Sequence, residues 1–333
     1  LARWSFIETP HFILAGAREA IQTYIPVASR GSFMPIDNPK AFIAPFRIDK
    51  GAGFSLSGHA PDGMGGHDLT KEAGKALLEE GKVTLRALQE RLYASDRWAF
   101  LMILQAMDAA GKDSTIEHVM SGVNPQGCQV HSFKAPSPEE LDHDFLWRSV
   151  KALPERGRIG IHNRSWYEEA LVVRVHPEFL GPQRLPEKGF GAKPGSDAFW
   201  RERLEAIGAQ ELHLARSGTK IVKFFLNVSK DEQKKRQLER IEDQTKTWKF
   251  NARDIAERAH WESYMAAYEQ AIRATAAPHA PWYVIPADRK WFMRLCVMAA
   301  ILAELESLAL TFPSLSATEK AALVTARAAL EAS

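Results

Sequence analysis

From Ala99 to Leu104 every position is apolar, the pattern of a central parallel strand covered on both faces. Upstream, Leu77, Gly81, Leu85, Leu88 and Leu92 recur at three- and four-residue spacing with charge between them. That spacing predicts a helix over Asp68 to Tyr93, behind a glycine-rich loop from Gly51 to Gly66. Short apolar runs then alternate with amphipathic stretches to the end of the chain. Strands are predicted at Cys128 to Phe133, Ile159 to His162, Lys220 to Val228 and Trp282 to Pro286. A helix is predicted after the first strand, to about Met120, and another over Pro138 to Leu153 with Ser137 as its N-cap. Further helices are predicted through WYEEALVV, Asp197 to Arg216, Lys230 to Asp243, Glu257 to Thr275, Arg289 to Leu310 and Ala317 to Ala329. The stretch from Pro177 to Gly195 is rich in glycine and proline and reads as loop.

Strands separated by helices predict an α/β protein built on a doubly wound parallel sheet with right-handed crossovers. In such sheets ligands lie beyond the carboxyl ends of the strands, which selects the turns after Leu104 and His162 and the start of the Lys230 helix. The expected organisation is an N-terminal extension and helix over 34–96, a core over 97–311 with a lid at about 230–253, and a C-terminal helix over 312–333. Residues 1–33 mix apolar and aromatic positions without a sustained period and are expected to be a leader ahead of Met34.

Composition narrows the class only a little. The 333 residues are 45% hydrophobic, enough for a real core, and the formal net charge of +2 identifies no polyanionic partner, so binding claims rest on local clusters. No apolar run approaches the roughly 20 residues needed to span a bilayer. The two cysteines, Cys128 and Cys296, lie in apolar segments and read as reduced, buried thiols of a cytoplasmic protein. The eleven histidines show no zinc spacing, and the Asp142, His143, Asp144 cluster is expected on the surface because adjacent helical residues diverge.

The turn after the central strand carries candidate chemistry: Asp108, Ala109, Ala110, Gly111, Lys112, then Asp113, Ser114 and Thr115. Small residues let backbone N–H groups curl around an anion, the next helix adds the positive end of its dipole, and Lys112 adds a point charge. The pattern departs from G-x-x-x-x-G-K-[ST], with Ala106 at the first glycine and Asp113 after the lysine. Asp108 is a candidate magnesium ligand or a turn former. At the third strand end Asn163 stands where a second acidic group would sit, and Arg164 is a phosphate clamp or an ion-pair partner of Glu168. From Lys230 to Arg253 the chain carries Lys230, Lys234, Lys235, Arg236, Arg240, Lys246, Lys249 and Arg253. On a helical wheel Leu238 and Ile241 mark the expected buried side, with Gln233, Arg236 and Arg240 in a separate strip. Beside a phosphate cradle this segment reads as a lid, and alone as a solvated face.

These motifs together resemble the polyphosphate kinase 2 family, over nearly everything from about Asp37 to Glu306. The resemblance rests on MDAAGKDST, GVNPQGCQVHSFKAPSPEELDHDFLWR, HNRSWYEEALVVRVHP, FFLNVSKDEQKKRQLER, WKFNARD and HAPWYVIPADRKW. It implies a three-layer P-loop kinase-like fold with a five-stranded parallel sheet and a helical lid, and a homo-oligomer without membrane or nucleic-acid partners. The activity implied is reversible phosphoryl transfer between inorganic polyphosphate and nucleotides, dependent on Mg2+ with Mn2+ able to replace it. Carried over by motif, Asp108, Lys112 and Arg164 are catalytic, and Asp108 and Asn163 face the metal. Ala109 to Ser114, Arg164, Lys230, Arg236 and Arg240 bind phosphate. The NRS form, the KDST ending and VVRVHP are similar to the subgroup acting on both AMP and ADP, with GMP and GDP as further acceptors, which places Asn124, Arg174 and Asn163 at the nucleotide. Two other readings fit the residues alone: an ATP-dependent nucleoside or nucleotide kinase, and a non-catalytic phosphate- or nucleic-acid-binding regulator.

Overall fold

A computed structural model describes residues 38–186, 191–245, 247–249 and 251–333 of the chain. The expected leader at 1–33 and Lys246 of the basic segment lie outside the described residues.

The chain enters through a short helix, α1 (Pro39–Ile43), and a two-residue strand, β1 (Arg47–Ile48), before the long helix α2 (Lys71–Ser95). Thr70 caps α2 by accepting from the Ala73 amide, and Asp96 ends it in the left-handed conformation. Then come β2 (Ala99–Gln105), α3 (Lys112–Val119), β3 (Cys128–Ser132), α4 (Pro138–Leu141), α5 (Trp147–Val150) and β4 (Ile159–Asn163). After β4 a 3-10 turn (Trp166–Glu169) leads to α6 (Val172–Val175), and a second (Pro177–Gln183) precedes α7 (Asp197–Arg216). The second half holds β5 (Thr219–Asn227), α8 (Lys230–Glu242), α9 (Ala252–Glu257), α10 (Trp261–Thr275), β6 (Trp282–Pro286), α11 (Lys290–Glu306) and α12 (Ala317–Glu331).

The sheet runs β1-β6-β5-β2-β4-β3, parallel throughout except for the β1–β6 edge pair. The five predicted strands are therefore all present and parallel, and the correction is a sixth, antiparallel edge strand. Two residues are too few to carry a period, so β1 had no signature. β2 lies at the centre, buried at every position, between β5 and β4. Its register sets Leu104 beside Asn163 and Phe224, so the β2 and β4 strand ends open at the same level.

Helices cover both faces. On β6 the Trp282 Nε1 donates to Thr275 of α10 while the next residue, Tyr283, donates its hydroxyl to Glu304 of α11, and successive strand residues point to opposite sides. On the α11 side, α2 approaches closely because a Cβ at Gly81 would stand 2.7 Å from Met298 and one at Gly74 2.3 Å from Trp291. Gly81 thus belongs to the packed stripe that its spacing predicted.

Several predicted helices are shorter than the sequence suggested: Arg289 to Leu310 ends at Glu306, and Glu257 to Thr275 is interrupted by a 3-10 turn at Arg258–His260. The stretch from Pro138 to Leu153 breaks into α4 and α5 because Asp144 accepts from the Leu146 amide at 2.9 Å and restarts the chain, while the Ser137 capping box holds α4 as expected. WYEEALVV divides into the 3-10 turn and α6. The Asp142 to Asp144 cluster is at the surface, with His143 stacked on Trp147. Among the described residues no helix is long and apolar enough to cross a membrane.

Candidate active site

At the carboxyl end of β2 the chain turns through Asp108 to Gly111 into α3. Ala109 and Gly111 take left-handed backbone angles, φ 61° and 106°, which glycine adopts freely and alanine only under constraint. Gly111 occupies the N-cap of α3 and offers no side-chain acceptor, so the first-turn amides have no side-chain cap. Lys112 folds back and donates to the Ala106 carbonyl at 2.8 Å. Burial and the nearby Arg164 lower its proton affinity, while Asp108, Glu168 and Asp113 work in the other direction.

The end of β4 closes on this loop. Arg164, also left-handed at φ 69°, places a guanidinium nitrogen 3.3 Å from Asp108 Oδ1. The charge partner in contact is thus Asp108 rather than the sequence neighbour Glu168. Burial opposes the charge on Arg164, but Glu168 and Asp108 outweigh it and raise its pKa above the ordinary value. Asn163 donates from Nδ2 to Asp113 Oδ1 at 2.6 Å, joining the two strand ends.

The facing wall comes from the segment expected to be a lid. A cleft of about 610 Å3 is lined on one side by Asp108, Ala109, Gly111, Lys112, Asp113 and Ser114, and on the other by Arg236, Arg240, Trp248, Asn251 and Asp254. Asn163, Arg164, Lys290, Glu239 and the end of β3 with its following residues, Ser132, Phe133 and Lys134, also line it. The basic helix and the small-residue loop therefore share one cavity, as the sequence predicted.

The face that α8 turns inward is the reverse of the expected one. Leu238 and Ile241 are exposed, at 47% and 48%, while Gln233, Arg236 and Gln237 are buried. The reason is that α8 packs against backbone carbonyls, not apolar side chains. Gln233 Nε2 donates to the Asp108 carbonyl at 3.0 Å. Arg236 donates to the carbonyls of Ala109, Ala110, Ala287 and Asp288 and to Glu232. These contacts occupy the five N–H groups of a guanidinium, so Arg236 holds the loop in shape and has no donor left for a phosphate chain. Arg240 is different: it is a quarter exposed and 3.7 Å from Asp254, with room to turn toward an anion.

Ala110 is fully buried behind the loop. Lys230 is exposed at the start of α8, and it does not line the cleft; nor do Asn124 and Arg174. The Asn124 side chain accepts from the Gln126 amide and caps a 3-10 turn, and Arg174 lies 3.7 Å from Asp197.

Glu168 is the residue that sequence reasoning set aside as a mere partner for Arg164. With the Gln105 amide turned so that its oxygen accepts from Ser165, its nitrogen donates to the Glu168 carboxylate at 2.9 Å, at the last residue of β2. Burial raises its pKa, Arg164 and Lys112 pull it back, and Asp108 raises it further. A carboxylate perturbed by burial and by two of the cleft's cations, Arg164 and Lys112, is a functional candidate. A carboxylate four residues beyond a strand-end arginine was the available signal.

Comparison with known proteins decides the family. The family model for polyphosphate kinase 2 matches residues 68–312. The chain belongs to the polyphosphate kinase 2 family. Among relatives of the chain, an ADP-polyphosphate phosphotransferase of Rhodopseudomonas palustris is 48% identical, covering 85% of this chain and 96% of that one. An AMP/ADP-polyphosphate phosphotransferase of Meiothermus ruber is 41% identical over 80% of this chain and 94% of its own. The crystal structure of polyphosphate kinase 2 from Arthrobacter aurescens superposes with a TM-score of 0.76 at 40% identity, covering 88% of this chain and 98% of the other. The P-loop kinase-like fold expected for the family is the one observed.

Proposed function

We propose that this polyphosphate kinase 2 transfers the terminal phosphoryl group of inorganic polyphosphate to both AMP and ADP, reversibly, with magnesium. The observation that supports this most is the single cleft in which Lys112 and the amides of its loop face Arg240, with the Asp108–Arg164 pair between them. Phosphoryl transfer asks a protein for positioning and charge neutralisation and little covalent chemistry. In this reading Lys112 and the α3 N-terminus hold the phosphate that is transferred, Arg164 clamps its neighbour, and Arg240 grips the donor chain. Because the donor is a string of identical units, the same contacts serve each register, and a chain that slides by one unit can phosphorylate AMP and then ADP.

Among the described residues no three His, Cys, Asp or Glu side chains converge as a metal cage. That fits magnesium, which takes one or two carboxylates and fills its shell with water and substrate phosphate. Asp108 is the carboxylate placed for it and Asn163 the neutral neighbour; Mn2+ shares the preference for oxygen. When bound, such an ion neutralises charge on the transferring group. Glu168 keeps Lys112 and Arg164 charged and aligned when no phosphate is present.

Incubation of AMP, ADP, GMP and GDP with polyphosphate and Mg2+, with products resolved by chromatography, tests the reading. ADP followed by ATP from AMP is the expected result. ATP formed from ADP alone removes the two-step reading, and turnover with ATP but not polyphosphate as donor removes the donor assignment.

A further inference from the structure

Outside the lining of the cleft, Lys223 of β5 and Glu211 of α7 form an ion pair at 2.5 Å with side chains 0% and 1% exposed. A buried pair of this kind is weak evidence for stability, because apolar side chains of similar volume do as well or better. What the pair holds is therefore informative. Lys223 Nζ donates to the Tyr167 hydroxyl at 3.1 Å and to the Thr275 carbonyl at 2.8 Å, and the Tyr167 hydroxyl has two acceptors for its proton, Glu211 Oε1 and Thr275 Oγ1, each at 2.8 Å. Tyr167 is itself fully buried.

Tyr167 lies three residues after Arg164. A non-glycine residue at φ 69° is strained by roughly 1–2 kcal/mol and persists only where its surroundings over-determine it. The segment is pinned at both ends. Before the strained residue, the Arg164 amide donates to the Leu104 carbonyl at 3.0 Å; after it, the anchors are Tyr167 and Glu169, whose carboxylate accepts from Arg203 at 2.8 Å. The Tyr167 anchor is the nearer, and two of the three side-chain partners of its hydroxyl are the members of the charge pair, the third being the Thr275 hydroxyl.

Building on the reading of Arg164 as a phosphate clamp, we propose that Lys223 and Glu211 are positioning residues for phosphoryl transfer, holding Arg164 in its left-handed conformation through the Tyr167 hydroxyl. The pair never meets substrate. It fixes the turn that aims Arg164 at Asp108.

The test uses the full chain and three sets of variants. In the double variant Lys223→Met with Glu211→Leu the charges leave together, so thermal stability is expected to stay close to that of the parent. Its kcat is expected to fall about tenfold or more, as small misplacements of positioned groups do, with the AMP and ADP KM values within about twofold. Tyr167→Phe, which removes only the hydroxyl, is expected to lower kcat in the same way. In an Arg164→Ala background the Lys223→Met, Glu211→Leu pair is expected to cost less than about twofold more, because its effect passes through Arg164. Full turnover in Tyr167→Phe, or a full further loss in the Arg164→Ala background, overturns the positioning role. Near-normal turnover in Arg164→Ala alone instead overturns the reading of Arg164 on which it rests.

Discussion

The guanidinium of Arg236 donates to the Ala110 carbonyl at 2.7 Å, so the first turns of α8 and the loop from Asp108 to Gly111 form one mechanical piece. A loop whose alanines sit in left-handed or crowded conformations would relax if its carbonyls were left without partners. The basic helix thus differs along its length: its buried part shapes the loop, and Arg240, a quarter exposed, lines the cleft.

Arg236→Ala is expected to destabilise the protein, because it strands several buried carbonyls at once. A loss of about 3 kcal/mol is the order expected for removing a buried, fully hydrogen-bonded charge. Thermal unfolding should show it as a drop of several degrees, accompanied by loss of kcat. Arg236→Lys should not restore the loop, since three donors on a point charge cannot replace a five-donor fork.

Arg240→Ala should leave stability within about 0.5 kcal/mol, because its contact with Asp254 is long and partly exposed. The effect is expected in the KM for polyphosphate, and most with long chains. An unchanged donor dependence across chain lengths would remove Arg240 from the donor grip.

Asp108→Asn and Lys112→Ala are expected to lower kcat by about a thousandfold or more, the order found when a charge on a transferring phosphoryl group loses its partner. Asp108→Asn should also weaken the dependence of rate on Mg2+ concentration. Initial rates across a magnesium titration measure both effects, and near-normal turnover in either variant removes that residue from the chemistry.

The elements legible in the chain were those whose period matched their burial. Asp197–Arg216 and Trp282–Pro286 have the bounds that pattern predicted, because the first is cleanly capped by Ser196 and the second is apolar on both faces. What failed did so for a shared physical reason. A helical wheel assumes that a helix buries its apolar residues, and α8 instead buries Gln233 and Arg236 against the carbonyls of a distant loop, a contact that no local spacing encodes. Glu168 was hidden likewise: its i to i+4 distance from Arg164 suggested a helical ion pair, but the backbone between them is a left-handed residue and a 3-10 turn. The loop itself was readable because small residues, a lysine and a preceding strand are local facts.

Glu168 gives a pH prediction. Burial moves its pKa above the ordinary 4.5, so the acid limb of kcat/KM is expected above that value as Glu168 takes up a proton and Lys112 and Arg164 lose their counter-charge. Lys112 is shifted down from 10.5, chiefly by burial, with Glu168 among the groups opposing that shift. Glu168→Gln should therefore remove the acid limb and move the alkaline limb to lower pH. Comparing variant with parent on the same substrates cancels the ionisations of nucleotide and polyphosphate, and identical profiles would discard the assignment.

His162, one residue before Asn163, should make the fold sensitive to acid. It is fully buried, donates from Nε2 to the Ala152 carbonyl at 3.0 Å, and has no partner for Nδ1. Burial lowers its pKa to about 4, with His131 adding to the shift and the Ala152 contact opposing it. The unfolded chain binds this proton near pH 6.5, whereas the folded protein refuses it until about pH 4. Between those values the unfolded state carries the extra proton, so stability falls as pH falls through that window and levels off below it. A gap of this size corresponds to about 3 kcal/mol. Denaturant unfolding at pH 7 and pH 5 measures the loss. His162→Gln keeps a donor for Ala152 but cannot titrate, so its stability should be lower at pH 7 and flatter toward pH 5; a slope equal to that of the parent would assign the acid sensitivity to other groups.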